Sequence, residues 1–384
     1  MQKIQIVNYD VVIAGGSIAG LFCAREIASR EHSVLVLEED FEIGTPEHCG
    51  GLVSTSALED LGIIPHSKTF DHLIESAQVF APNGKSFTID SKKQKVAEVN
   101  RRELDKQIAL QAQRNGAEIR VRTSFQKLTD DGVKTSEGEV KCKIVVDARG
   151  VSSLINKDRE GILSSAQFEI YADWIKKGKV EVHFNQEKYP GFFAWVIPSG
   201  DGTGKVGVAG KGITATEVLS KFLSKKGNYS TIRKIFAPIW IKGPIQKFIS
   251  DKIVTIGDAA GQSKPTTAGG IFSCGMGGIL AGKAIANYLE TGIKSDLEEY
   301  QTKWQKKFGK EFEKQLFARK ILERLDNQTI NKLFESVTPK ITKEISQNDD
   351  FDFHTSSIVK LLGVTGSLKT AKTLIGGEIK KLLT

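Results

Sequence analysis

The sequence has no CxxC pair: its four cysteines, Cys23, Cys49, Cys142 and Cys274, lie far apart. That argues against a disulfide framework and for a reducing, cytoplasmic setting. The six histidines show no metal-ligand spacing, so no metal site is expected. Prolines number 9 against 37 glycines, and no low-complexity stretch marks a linker. No apolar run reaches the roughly 18 residues that a membrane span requires. The stretch from Val11 to Ala24 comes nearest, but Gly15, Gly16 and Gly20 interrupt it and Arg25-Glu26 follow. A strand and turn is expected there, not a signal peptide. Basic residues exceed acidic ones, 54 to 46, yet they are scattered with no stripe of interleaved aromatics, which speaks against nucleic acid. A net charge of +8 serves solubility, and it also suits a phosphate-bearing substrate or an anionic membrane surface.

What is present begins almost at once. Tyr9 to Ala14 reads as a buried strand, Gly15 to Gly20 as a tight turn, Leu21 to Arg30 as a helix, and Ser33 to Leu37 as a strand ending in Glu38. This is a βαβ unit of about 30 residues. The turn Gly15-Gly16-Ser17-Ile18-Ala19-Gly20 follows the dinucleotide fingerprint with Ser17 in place of its middle glycine. Serine is small enough for a pyrophosphate to approach the helix N-terminus, and Glu38 stands where an acidic residue accepts hydrogen bonds from ribose.

A second element lies near the other end of the chain. The apolar strand from Ile253 to Ile256 runs into Gly257-Asp258-Ala259-Ala260-Gly261, and Pro265 to Gly270 then opens a small-residue helix from Gly269 through Ile271 to about Leu289. A strand-terminal Asp258 suits ribityl hydroxyls, and the backbone N–H groups at Gly269, Gly270 and Ile271 face phosphates or a ring. Two such elements in one chain point to FAD over NAD. A further strand, Ile144 to Asp147, precedes Arg149-Gly150. The run Gly277 to Lys283 spells GxxxxGK, but Ala284 follows where a P-loop needs Ser or Thr. It is expected inside a helix, with its glycines allowing a close neighbour.

Between these elements, Arg102 to Asn115 reads as a helix. Gln78 to Ile89 reads as a hairpin turning at Pro82-Asn83-Gly84, where Asn-Gly supplies positive φ angles. Gln167–Trp174, Lys179–Phe184, Gly191–Ile197 and Lys205–Ala209 alternate like strands of an antiparallel sheet. The expected fold class is α/β, with a discontinuous Rossmann-type FAD-binding domain at 1–75, 96–160 and 250–290. An antiparallel β substrate domain would take 76–95 and 161–249, and 291–384 would be helical.

Over residues 9 to 290 the chain resembles the flavoprotein monooxygenase-like group, whose fold is that of p-hydroxybenzoate hydroxylase. Asp147-Ala148-Arg149-Gly150 and Arg101 match elements of that group, which implies contacts of Asp147, Gly150 and Arg101 with FAD. Within the group it is most similar to the geranylgeranyl reductase family. His48-Cys49-Gly50-Gly51-Leu52 resembles that family's Cys-Gly loop beside the flavin. Phe193-Ala194-Trp195-Val196-Ile197-Pro198, followed by Val206 to Gly210, resembles its Tyr-x-Trp-x-Phe-Pro segment. Phe193 and Ile197 depart from that pattern toward the Trp-x-Trp-x-Ile-Pro of flavin-dependent halogenases, whose first tryptophan is missing.

The resemblance implies reduction of C=C bonds in isoprenoid lipid chains, with Cys49 and Gly50 at the flavin. Cys49 would be a proton donor or a residue shaping the ring's surroundings; as a small buried thiol it would have neither role. Phe192, Phe193, Trp195 and Pro198 would line the channel for a lipid or another apolar small molecule. The electron donor, NAD(P)H or a ferredoxin, stays open because no second nucleotide fingerprint is present. Two other readings are a flavin monooxygenase or halogenase and a non-catalytic flavin electron-transfer protein. The lysine-rich apolar stretch from Ile358 to Leu383 is either a terminal helix or a segment docking peripherally on a membrane.

Overall fold

Unbroken runs of aliphatic residues set the first sheet. Val11, Val12, Ile13 and Ala14 are all fully buried, as strands covered on both faces must be. In the computed structural model, which describes residues 7–64, 66–153, 159–348 and 351–353, five parallel strands lie side by side. Their spatial order is Glu118–Arg120, Val34–Leu37, Val7–Ala14, Gly138–Asp147 and Ile253–Thr255. That is the dinucleotide order 3-2-1-4-5, with its switch point between the first and fourth strands. The short strand Ile249–Ser250 closes one edge antiparallel.

The helix Ile18–Ala28 packs against Ile271–Thr291 closely enough that a Cβ at Gly278 would sit 2.2 Å from the Ala19 carbonyl oxygen. The GxxxxGK run is thus helix interior, and its small residues serve packing. Over it lies the long helix Lys294–Leu322, which buries Leu297, Tyr300, Trp304, Phe308 and Phe312, the one-face spacing of an amphipathic helix.

The second sheet runs in the order Ser230–Phe236, Ile162–Tyr171, Thr203–Gly210, Phe193–Gly200, Lys179–Phe184, Ser76–Phe80, Ser86–Asp90. It is antiparallel except where Lys179–Phe184 meets Ser76–Phe80 in parallel, because the latter strand arrives from a distant part of the chain. Ala81 and Gly84 close the hairpin turn. Of its residues Gly84 alone has a positive φ, 87°, so Asn83 does not supply a second positive φ as anticipated. A three-stranded sheet of Leu52–Ser54, Val96–Val99 and Phe70–Leu73 links the two large ones; its strands are too short to show a period.

Helices Asn327–Glu335 and Pro339–Asn348 cover the edge strand Ser86–Asp90. The Asp90 amide donates to Ser346 Oγ at 3.0 Å, Lys85 pairs with Glu335 at 2.8 Å, and the Phe87 and Phe334 ring centroids are 5.1 Å apart. Covering an edge in this way also removes a site for aberrant strand pairing. The stretch Ile358 to Leu383 lies outside the described residues.

Candidate active site

At the carboxyl edge of the parallel sheet the strand ends converge on a crevice. The Gly16 amide donates to Glu38 Oε2 at 2.9 Å and the Asp40 amide to Oε1 at 3.0 Å. Burial raises the Glu38 carboxyl above its ordinary pKa, against those two bonds. Ser17 caps the Ile18–Ala28 helix with no side-chain bond to it and stays exposed, so the helix N-terminus opens on the crevice. Gly20 lets helix and turn touch: a Cβ there would meet the Gly15 carbonyl oxygen at 2.1 Å. Ala19 is buried under Gly257 and Gly278 and shapes the packing behind the turn.

Asp147 is fully buried and accepts from Arg149 Nε at 3.0 Å. It holds the turn that brings Gly150 to within 3.9 Å of the Asp258 Cβ, measured from an ideal Cβ at Gly150. Asp258 is exposed yet crowded by protein, and that crowding raises its carboxyl pKa against a bond from Cys274 Sγ at 3.4 Å. Gly270 caps the next helix and Ile271 is buried at its start.

Arg101 lies between these groups. Its Nη2 is paired with both oxygens of Asp105 at 2.9 and 3.0 Å, while its Nε is buried with no hydrogen-bond partner among the described residues. Burial opposes the charge, but Asp105 holds the guanidinium protonated. An open helix N-terminus, a recessed Glu38, an accessible Asp258 and an orphaned Arg101 donor make a donor set that fits FAD. Ser17 and the Gly16 turn would take the pyrophosphate, Glu38 the adenosine ribose, and Asp258 the ribityl chain. His48 sits beside Asp40, Arg101 and Asp258, its pKa lowered by burial.

His48, Cys49, Gly50, Gly51 and Gly269 also form one end of a cavity of about 470 Å³. Its wall on the second sheet is mostly apolar: Ala77, Val79, Val180, Val182, Phe184 and Ile197, with Phe192, Phe193 and Trp195, and with Ser165 and Gln167 as the polar members. Alternation along the strand explains the selection, since Phe193, Trp195 and Ile197 share one face. Pro198, expected in the wall, is not among the lining residues; one position beyond Ile197, it falls on the opposite face, opposite Gly204. The Trp195 indole donates to Gln167 Oε1 at 3.0 Å, and Gln167 Nε2 to the Cys49 carbonyl oxygen at 3.4 Å, which ties the wall to the Cys49 loop.

The far wall was not anticipated from sequence. Leu322, Leu325, Ile330, Leu333, Phe334 and Phe351 close it, all from the C-terminal region. Two polar ties fix that region to the loop before the Ile271 helix. Arg319 donates to the carbonyl oxygens of Pro265 at 3.0 Å and Gly191 at 2.7 Å. Lys264, which lines the cavity, pairs with buried Asp352 at 3.2 Å, and Asp352 in turn accepts from Ser54 Oγ at 2.6 Å. No motif signals these residues; only the charged Lys264 in an otherwise small-residue loop could have drawn attention.

Behind the Cys49 loop lies a buried ionic cluster. Lys205 Nζ donates to Glu47 Oε1 at 2.7 Å and to Glu98 Oε1 at 2.9 Å. Burial disfavours the ammonium, but Glu98 and Glu47 outweigh it and keep Lys205 charged. Burial likewise works against the Glu47 carboxylate, and Lys205 with Arg102 holds its pKa below the usual range. Glu98, wholly buried, is pushed up by burial to about 8 in spite of Lys205. The balance in the cluster favours an ammonium on Lys205, a carboxylate on Glu47 and a proton on Glu98.

No family model matches the chain. A digeranylgeranylglycerophospholipid reductase of Methanocaldococcus jannaschii is 30% identical over 357 residues, covering 86% of this chain and 90% of that protein. Digeranylgeranylglycerophospholipid reductase 2 of Methanothermobacter thermautotrophicus is 30% identical over 364 residues, 88% of this chain and 94% of that one. Among solved structures, a geranylgeranyl bacteriochlorophyll reductase-like protein of Thermoplasma acidophilum aligns with a TM-score of 0.85 at 21% identity, over 96% of this chain and 100% of that chain. A flavin-dependent brominase aligns with a TM-score of 0.65 at 16% identity, over 96% and 100%. At such identities the two structures speak for the fold alone, and they show the expected α/β class with its second sheet and helical C-terminal region.

Proposed function

The chain belongs to the digeranylgeranylglycerophospholipid reductase family, and from that premise we propose that it saturates C=C bonds in isoprenoid lipid chains with FAD as cofactor. The observation that carries this reading is the apolar cavity that meets the cofactor crevice at Cys49-Gly50-Gly51. An isoprenoid alkene offers no charge or dipole to grip, so the protein must work by shape, position and exclusion of water. Bound FAD, once reduced, supplies a hydride.

The remainder falls to the chain. Aliphatic and aromatic side chains from the second sheet and the C-terminal helices hold an extended chain, and the Trp195–Gln167–Cys49 ties fix the wall next to the crevice. Cys49 stands at the junction of cavity and crevice, where a proton must reach the second alkene carbon, and we assign it that donation. Among the described residues no helix is long and apolar enough to cross a membrane.

Cys49→Ser is expected to lower lipid turnover on the order of 100-fold, the usual weight of a general acid, with FAD content unchanged. Unaltered turnover would remove Cys49 from the role. Oxygen uptake separates the reductase from the monooxygenase or halogenase reading. The reductase forms product with no matching oxygen consumption; one O₂ consumed per product would move the assignment to oxygen chemistry. FAD reduction without any lipid product would leave the electron-transfer reading.

A further inference from the structure

Each double bond saturated consumes one proton, and on the second sheet the cavity where this happens is walled mostly by aliphatic and aromatic groups. Just behind the wall, at Gly51, lies the Lys205–Glu98–Glu47 cluster. A Cβ on Gly51 would sit 3.1 Å from Glu98 Oε1 and 3.3 Å from Lys205 Nζ, so the backbone of one glycine separates cluster from cavity. The Gly51 amide itself donates to Cys49 Sγ at 3.4 Å.

The other side of the cluster faces outward. Glu98 Oε2 is buried with no hydrogen-bond partner of the ordinary kind among the described residues. The carboxyl of Asp71, on the adjacent strand Phe70–Leu73, lies against Glu98 and raises its pKa further. Asp71 is exposed. The neighbouring Asp71 carboxyl adds to burial in favouring the protonated form of Glu98.

We propose that Asp71, Glu98 and Lys205 form a proton-entry path, from solvent at Asp71 to the cavity wall at Gly51, that replaces the proton given up by Cys49. The inference rests on the reductase reading. In each cycle the Cys49 S–H bond breaks as a C–H bond forms on the alkene carbon not taken by hydride. A proton leaves the Glu98 acid, whose carboxylate is then held by the Lys205 ammonium, and the thiol is restored. Water returns a proton through Asp71. The path moves one proton inward per double bond and no electrons.

The charged groups around Glu98 come from every element packed on it. Lys205 comes from Thr203–Gly210, Asp71 from Phe70–Leu73, and Glu47 from the loop before Cys49. Arg102 bears on Glu47 at 3.3 Å. His72, opposite Glu98 in register, is neighboured instead by Lys177, Asp71, Asp201 and Glu75.

The test uses the FAD-loaded enzyme with two variants, Asp71→Asn at the surface and Glu98→Gln inside. Infrared titration of the resting enzyme needs no turnover. A protonated-carboxyl stretch should persist at neutral pH, disappear as pH rises through about 8, and be missing in Glu98→Gln. In lipid turnover, Asp71→Asn should fall about tenfold, show a larger solvent deuterium isotope effect, and recover with added formate. Absence of the carboxyl band, or an Asp71→Asn enzyme with normal turnover and isotope effect, would overturn the path. If wild-type enzyme fails to turn over lipid at all, the reductase reading falls, while the infrared result still decides the state of Glu98.

Discussion

Replacing Ala77 with phenylalanine is expected to abolish lipid turnover while leaving FAD in place. Ala77 lies on Ser76–Phe80 opposite Val180, and both residues line the cavity. A ring added there projects into a space of about 470 Å³ that the isoprenoid chain must occupy. Blocked positioning next to the crevice should cost at least about 100-fold in kcat/KM, or roughly 2.7 kcal/mol of transition-state stabilisation. The crevice residues Ser17, Glu38, Arg101 and Asp258 lie on other elements, so FAD content and reduction by dithionite should match wild type. Single-turnover reoxidation by lipid checks this; a variant as fast as wild type would mean that the chain binds elsewhere.

The second large effect is on stability. Lys205→Met removes the ammonium that two buried glutamates share at 2.7 and 2.9 Å. Breaking one side of a buried ion pair leaves an uncompensated charge, and a loss of about 3 kcal/mol is expected, read from urea unfolding at neutral pH. The pH dependence has a definite sign. In wild type the Glu47 pKa lies below its unfolded value, so its contribution is present above roughly pH 4.3 and fades as pH falls below it. Without Lys205 that contribution is gone, and the buried carboxyls gain from protonation. The gap between variant and wild type should therefore narrow on acidification; a gap that widens would contradict the assigned charges.

The strand-end residues assigned to the cofactor can be read from the sequence because each lies in a local pattern. Gly15 to Gly20, Glu38 and Asp258 each sit where a strongly apolar strand ends, and parallel strand order carries all of them to one edge of the sheet. The family resemblance added Arg101 and the Cys49 loop, neither of which spacing alone would single out. Pro198 was misplaced because a motif was read as a block, whereas a strand presents every second residue to one side.

The far wall of the cavity was hidden for a different reason. The helical period of 294–348 is plain, but nothing within it says which surface it covers. That depends on long-range contacts such as Ser346 with the Asp90 amide and Arg319 with Gly191. The ionic cluster was hidden likewise: Glu47, Glu98 and Lys205 belong to three distant segments with no shared spacing. Its members look like ordinary surface charges until the three-stranded sheet buries them.

The proposed activity turns on an apolar chain meeting the cofactor crevice at Cys49. The most direct test is anaerobic: load the protein with FAD, reduce it with dithionite, and add an unsaturated geranylgeranyl lipid. The expected result is flavin reoxidation with the lipid heavier by two hydrogens for each bond saturated. Reduced flavin that stays reduced until oxygen is admitted would contradict it.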